Sequence, residues 1–188
     1  MSKQTRLFGA DEPNILPKLE LAKAKVLASQ IEESIKPLCD RLELVGSIRR
    51  QRPTVGDIDF VVLASDSNWA KISSTFRKHN VICSGKQLIK INYPIDGCLF
   101  QADFYRANED NFGIQTLIRT GSGDHNIWLA SYALSKGFRL KYSEGLLKDG
   151  KVIAGKEEVE VFTSLGLDCV EPRLREIVNQ KPVWIHDA

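Results

Sequence analysis

Apolar positions along this chain keep two different rhythms, and the switches between them mark its elements. From Pro17 to about Lys36, the residues Leu21, Ala24, Ala28, Ile31 and Ile35 recur three or four apart, which predicts an amphipathic helix with Pro17 in its first turn. Runs of β-branched and aromatic residues then predict strands at Leu42–Val45 and Asp57–Ala64, separated by a short helical turn over Ser47–Arg52. Trp69, Ile72 and Phe76 share one side of a helix expected at about Asn68–Lys78. Lys86–Tyr93 and Leu99–Tyr105 flank Pro94-Ile95-Asp96-Gly97, whose early proline and final glycine suit a four-residue turn, so the two runs read as a hairpin. Residues 1–13, with turn formers at Gly9 and Pro13, read as a flexible lead.

A second unit is expected to begin near Asn108. Phe112–Ile118 has a helical pattern, Thr120-Gly121-Ser122-Gly123-Asp124 interrupts it with two glycines, and His125–Lys136 resumes it through Ile127, Leu129, Ala130, Ala133 and Leu134. Phe138–Leu147 reads as a strand running into a loop, Val152-Ile153 as a short extended piece, and Glu157–Leu165 as a helix ended by Gly166. The remainder, Asp168–Ala188, is largely polar and punctuated by prolines.

Candidate chemistry concentrates in Gly46-Ser47-Ile48-Arg49-Arg50-Gln51-Arg52-Pro53-Thr54-Val55-Gly56-Asp57-Ile58-Asp59. A Gly-Ser turn with arginines, directly after a strand, lets backbone N–H groups and guanidinium groups converge on a polyphosphate. Asp57 and Asp59 lie two apart on the next strand, so both carboxylates leave one face while Ile58 enters the core. Two carboxylates so placed can bridge two hard cations, the arrangement that in-line attack on a phosphoryl group needs. A third acid is expected on a neighbouring strand, and Asp103 fits. Among Leu99, Ala102 and aromatic residues, a carboxylate is expensive to bury unless it is paired or metal-bound. Each feature alone has a plainer reading, as a solvated acidic pair or a helix cap beside a basic turn; their order and spacing carry the specificity.

Composition adds bounds. Over 188 residues, with 43% hydrophobic and 27% charged, the chain has an ordinary globular make-up and ample length for a core. No apolar run approaches the roughly 18 residues of a membrane span, and residues 1–11 lack the apolar centre of a signal peptide, so a soluble cytoplasmic protein is expected. Cys39, Cys83, Cys98 and Cys169 have no metal-binding spacing and are expected as free thiols, and His79, His125 and His186 are too dispersed for a metal cluster. The net charge of +2 hides a gradient: residues 1–44 balance, residues 45–156 carry +6 and residues 157–188 carry −4. A basic middle that also contains the three acids suits a polyanionic substrate, although a solvated lysine-rich surface accounts for the charge equally well.

Gly46-Ser47-Ile48-Arg49-Arg50, Gly56-Asp57-Ile58-Asp59, Asp103, Thr120-Gly121-Ser122, His125-Asn126, Leu165-Gly166-Leu167 and Glu171-Pro172-Arg173-Leu174-Arg175-Glu176 together resemble the catalytic core of family X DNA polymerases, the DNA polymerase beta-like group. The likeness runs from about residue 14 to 177. Its first motif is shared with nucleotidyltransferases at large, and the Thr-Gly-Ser segment, the following Asn and the Leu-Gly-Leu ending narrow it. The resemblance implies an α+β fold: a nucleotidyltransferase palm over residues 14–107, with a mixed sheet and helices on one face, then a small α/β C-terminal subdomain over 108–188 that binds the nucleotide and base pair. It implies two Mg2+ ions, replaceable by Mn2+, bridged by Asp57 and Asp59, with Asp103 binding the catalytic ion and accepting the primer 3′-hydroxyl proton. Beside Gly46, the residues Ser47, Arg50 and the Gly56 backbone would hold the β- and γ-phosphates. Gly121 and Ser122 would form a tight turn under the incoming sugar, joined in the family by a cis bond, and Asn126 would reach the minor-groove edge of the incoming base. The implied partners are DNA, gapped or primer-template, and dNTPs, with no membrane and a monomer as the expected state.

The sequence departs from the family pattern in three places. The residues before the core are too few for the lyase module and helix-hairpin-helix clamps usual in the family, so deoxyribose-phosphate lyase activity is not expected and the grip on DNA is expected to be weak and salt-sensitive. Ile118-Arg119 stands where the family often has an aromatic pair, which bears on sugar discrimination. Gln101 stands two before the third aspartate, where a basic residue frequently restrains that carboxylate, so Asp103 is expected to be more mobile. The expected function is template-directed DNA polymerisation that fills short gaps in repair. Two alternatives stay open: template-independent transfer to a nucleic-acid end, a small molecule or a protein hydroxyl, and a nucleic-acid-binding module without catalysis.

Overall fold

A computed structural model of the protein describes residues 18–77, 80–95, 97–178 and 181–182; the expected flexible lead, Pro17 and the last residues of the tail lie outside them. A two-residue strand, β1 (Leu19–Glu20), leads directly into α1 (Leu21–Ile35), whose buried stripe is Ala24, Leu27, Ala28, Ile31 and Ile35. Next come a 3-10 turn at Lys36–Leu38, β2 (Arg41–Leu44), α2 (Gly46–Arg49), β3 (Thr54–Val55), which pairs with β1, and β4 (Ile58–Leu63). Helix α3 (Asp66–Thr75) starts earlier than its apolar pattern because Ser65 caps it, accepting the Asn68 N–H at 3.3 Å.

The strand β5 (Asn80–Ser84), which the pattern does not signal, precedes the hairpin of β6 (Leu88–Ile95) and β7 (Cys98–Ala107). The hairpin reaches further than expected: Pro94 pairs with Leu99 and Ile95 with Cys98, so the turn holds two residues rather than four. Proline is tolerated there because β5 stops pairing at Asn92, leaving no ladder bond on that side for Pro94 to lose.

These strands make a five-stranded sheet in the order β2-β4-β7-β6-β5, antiparallel except for the parallel pair β4 and β7. Alternation of side chains gives the sheet two characters. Ile58, Phe60 and Val62 of β4, Ile89 and Ile91 of β6, and Phe100, Ala102 and Phe104 of β7 join residues of α1 and α3 in one core. Phe104 stacks on Phe60 and on Phe76, at centroid distances of 5.6 and 5.2 Å. On the other face Asp59 and Asp103 give way along the strands to Val61, Leu63 and Ala107, which pack with Val45 and Phe112.

Phe112 opens α4 (Phe112–Thr120), which is followed by α5 (Gly123–Ser135), an antiparallel sheet of β8 (Phe138–Lys141), β9 (Gly145–Lys148) and β10 (Lys151–Ala154), and α6 (Glu158–Ser164). The expected single strand over 138–147 is thus two strands of a hairpin. A 3-10 turn at Pro172–Leu174 and the paired two-residue strands β11 (Ile177–Val178) and β12 (Lys181–Pro182) close the described chain. Ile114, Leu117, Leu129, Ala133, Leu146, Val161, Phe162 and Leu165 form a core of their own. Helix α4 serves both units, giving Phe112 to the sheet and Ile114 and Leu117 to the second core. The architecture is the α+β arrangement expected: a mixed sheet backed by α1 and α3, then a smaller α/β unit. Among the described residues no helix is long and apolar enough to cross a membrane.

Candidate active site

The parallel register of β4 and β7 sets Asp59 directly opposite Asp103. Asp57 immediately precedes Ile58 at the start of β4, and its parity places it with Asp59. Lys90 of β6 is the cross-strand partner of Asp103 on the other side. Asp103 is 1% exposed, and three donors hold its carboxylate. Lys90 Nζ and the Tyr105 hydroxyl donate to Oδ2, the latter at 3.0 Å, and Gln101 Nε2 donates to Oδ1 at 2.9 Å. The mobility expected of this aspartate is therefore not found. The cation lacking two positions upstream arrives instead from the facing strand.

Burial, the Asp57 charge and the Asp103 charge push Asp59 up to about 7, while Arg119 and Lys90 pull the other way. Burial and then Asp103 also raise Asp57, opposed by Lys90 and Arg50. Carboxylates that raise one another are short of positive charge, and a bound divalent cation reverses that balance. Three hard oxygen donors, two on adjacent strands and one just before the first of them, fit Mg2+ or Mn2+. Among the described residues no three His, Cys, Asp or Glu side chains stand ready around a common ion position, and the Asp103 oxygens are engaged by protein donors. The donor chemistry fits a cation, and the arrangement is open.

Beside this face lies the 46–50 loop, a segment made up of the four-residue helix α2 and Arg50. Gly46 has φ +66°, and a Cβ there would run into the Asp59 carboxylate, so only glycine lets the loop approach so closely. The Val45 N–H donates to the Asp59 carbonyl at 2.8 Å, fixing loop to strand. Ser47 Oγ is buried without a hydrogen-bond partner among the described residues, a costly state that a ligand oxygen would relieve. The Arg50 guanidinium donates to the carbonyls of Thr120 and Gly121 and, from Nε, to Glu176 at 3.0 Å. Gly56 is exposed with open space around its Cα.

The Thr-Gly-Ser segment joins two helices. Gly121 ends α4, its N–H donating to the Leu117 carbonyl at 2.9 Å, and Ser122 caps α5 by accepting the His125 N–H at 3.1 Å. Among the described residues there is no cis peptide bond, so the Gly121–Ser122 bond is trans. Asn126 Nδ2 donates back to the Ile118 carbonyl at 2.7 Å, and its buried Oδ1 lies, with the His125 ring, close to Gly121. Gly121, Ser122 and Asn126 thus form one turn, tied through Arg50 to the 46–50 loop.

Other residues hold this arrangement, among them Arg49, which the sequence suggested for phosphate binding and the structure pairs with Glu158, and Glu158 and Lys90, which the sequence reading passed over. Arg49 forks onto Glu158 at 3.0 and 2.7 Å and donates to Thr120 Oγ1 at 2.8 Å. Arg175, 1% exposed, binds the same Glu158 and donates to the Val170 carbonyl at 2.9 Å. Burial raises the Glu158 carboxyl, but the Arg49 and Arg175 contacts outweigh it and hold the group below its ordinary range. The Arg119 guanidinium lies 3.7 Å over the Tyr105 ring in a cation–π contact. For Lys90 the sequence signal was a lone charge between Ile89 and Ile91; for Glu158, an acid in the first turn of a helix.

Among known protein families, residues 115–176 match the one described as DNA polymerase beta thumb. That span contains Thr120-Gly121-Ser122, Asn126, Glu158 and Arg175. The chain is also 28% identical over 156 residues to the DNA polymerase/3'-5' exonuclease PolX of Bacillus subtilis (strain 168), covering 80% of this chain and 27% of that protein. It therefore spans about a quarter of the length of this relative.

Proposed function

We propose that this chain belongs to family X, the DNA polymerase beta-like group, and that it is the catalytic part of a template-directed DNA polymerase that adds dNMP to a primer 3′-hydroxyl, filling short gaps in DNA repair. The observation that carries the proposal is the acidic face, where Asp59 opposes Asp103 beside a loop whose buried Ser47 hydroxyl has no partner among the described residues. In this reading residues 14–107 are the palm and 108–188 the nucleotide-binding subdomain, a division supported by the separate cores of the two units.

Asp57, Asp59 and Asp103 would hold two Mg2+ ions. When bound, such ions acidify the attacking hydroxyl and neutralise the triphosphate and leaving pyrophosphate. The remaining work belongs to the chain. Asp103 accepts the 3′-hydroxyl proton, and Gln101 and Tyr105 keep its carboxylate aimed. Ser47 and the backbone at Gly46 and Gly56 hold the β- and γ-phosphates, and Arg50 adds positive charge while keeping the 120–121 turn in place. Gly121 and Ser122 floor the sugar. Asn126 exchanges the Ile118 carbonyl for an acceptor on the minor-groove edge, present in every base pair, so geometry is tested without fixing base identity.

The test is incorporation into one-nucleotide gaps opposite each of the four template bases, with dNTPs and Mg2+. The proposal expects the complementary nucleotide in each case. Equal incorporation opposite all four bases points to template-independent transfer, and none at all overturns the polymerase reading.

A further inference from the structure

We propose that Lys90 is a resident counter-ion, standing in for a divalent cation at Asp103 and giving way to it when metal binds; this rests on the reading of Asp103 as a metal ligand. Lys90 lies between Ile89 and Ile91, both 0% exposed, on a strand face shared with the acids, so its ammonium is held at the site by the strand's own alternation. Asp103 is almost wholly buried, and a buried carboxylate without a counter-charge is a severe penalty. Gln101 and Tyr105 are neutral donors, and Arg119 stacks over the Tyr105 and Tyr142 rings, so among the described residues the charge that compensates Asp103 by direct contact is Lys90.

One ammonium in direct contact with one carboxylate, with Arg50 and Arg119 acting on the other two without direct contact, leaves the three acids short of positive charge. Two divalent ions supply it, and once they arrive Lys90 is a like charge beside them. Its side chain keeps 30% exposure, enough for the flexible stem to carry the ammonium into water while the strand stays paired. Gln101 and Tyr105 keep their hold on the carboxylate during the exchange. Lys90 is thus a positioning residue that keeps the metal-free site folded and weakens its metal affinity by competition.

Thermal unfolding of the full chain in EDTA and in Mn2+ tests this, with Mn2+ binding followed separately by electron paramagnetic resonance. In EDTA, Lys90→Met is expected to melt roughly 5–10 °C below wild type, as follows from stripping the partner off a buried charge. Mn2+ should then raise its melting temperature by at least about twice the wild-type rise, because the ion restores what the lysine supplied. Lys90→Arg retains a cation that withdraws less readily; it should match wild type in EDTA and gain less from Mn2+. Should Lys90→Met not fold in EDTA, rescue by Mn2+ supports the proposal. The double variant Lys90→Met/Asp103→Asn, with both charges removed, is expected to fold in EDTA without any excess Mn2+ shift, and its unfolding there overturns the proposal. Equal Mn2+ shifts in wild type and Lys90→Met, with Mn2+ bound by both, overturn the role of Lys90 alone. Absence of Mn2+ binding to wild type overturns the metal-site reading beneath it.

Discussion

Asp59 and Asp103 stand directly opposite each other on two strands that run in the same direction, in a sheet whose other pairs are antiparallel. A parallel pair needs a long connection, and here α3, β5 and β6 fill it. That connection also delivers Lys90 to the far side of Asp103. The two acids and their counter-ion are therefore set by strand register, which ties the chemistry to the most buried part of the fold.

Gly46→Ala tests how closely the loop must approach this face. The substitution forces a Cβ into a positive-φ position and against the Asp59 carboxylate, at a conformational cost of about 1–2 kcal/mol. Displacement of Asp59 should lower nucleotide incorporation on the order of 100-fold. Single-turnover kinetics, with circular dichroism to confirm the fold, check it; a rate within a factor of about two of wild type contradicts the close-approach argument.

Glu158→Ala removes the shared partner of Arg49 and Arg175, one of them fully buried. An unpaired buried guanidinium should cost about 3–5 kcal/mol in urea denaturation. Glu158→Gln keeps an acceptor and should lose less.

Arg50→Lys keeps the charge but loses the fork that reaches Thr120, Gly121 and Glu176. Loop and turn lose their common tie, and kcat/KM for the dNTP should fall roughly tenfold, about 1.4 kcal/mol of transition-state stabilisation. Steady-state incorporation kinetics on gapped DNA measure it.

His125 gives the pH dependence a definite sign. Burial and the Arg175 charge lower it to about 4 from an ordinary 6.5, so between these values the unfolded chain binds one more proton than the folded one. Its contribution is complete above pH 6.5 and is lost as pH falls toward 4. Asp59, raised to about 7, acts oppositely, because the folded state holds its proton over most of that window. The wild-type profile mixes the two. Subtracting the His125→Gln profile isolates the histidine, and the difference should change by at most about 3 kcal/mol across the window. A flat difference contradicts the assignment.

Much of this was legible in the chain. Period-two apolar residues around Ile58 and Ala102 placed Asp59 and Asp103 on strands, with Asp57 one residue outside the strand expected to include it, and glycine at 121 and 123 marked the break between α4 and α5. Register was not legible. A four-residue turn at Pro94–Gly97 would pair Tyr93 with Cys98 and set Lys90 opposite Gln101, whereas the two-residue turn sets it opposite Asp103. Strand β5 was missed because its pattern is weak: Ile82 and Cys83 are exposed on an edge strand, with a bulge between Val81 and Cys83. The link from Arg49 to Glu158 spans more than a hundred residues, and no local pattern encodes it.

Single-turnover insertion into a one-nucleotide gap, comparing wild type with Asp103→Ala under Mg2+ and with folding checked by circular dichroism, tests the central claim most directly. The account predicts that wild type inserts the complementary nucleotide and that the folded variant loses on the order of 1,000-fold or more. Insertion by Asp103→Ala at the wild-type rate would contradict it.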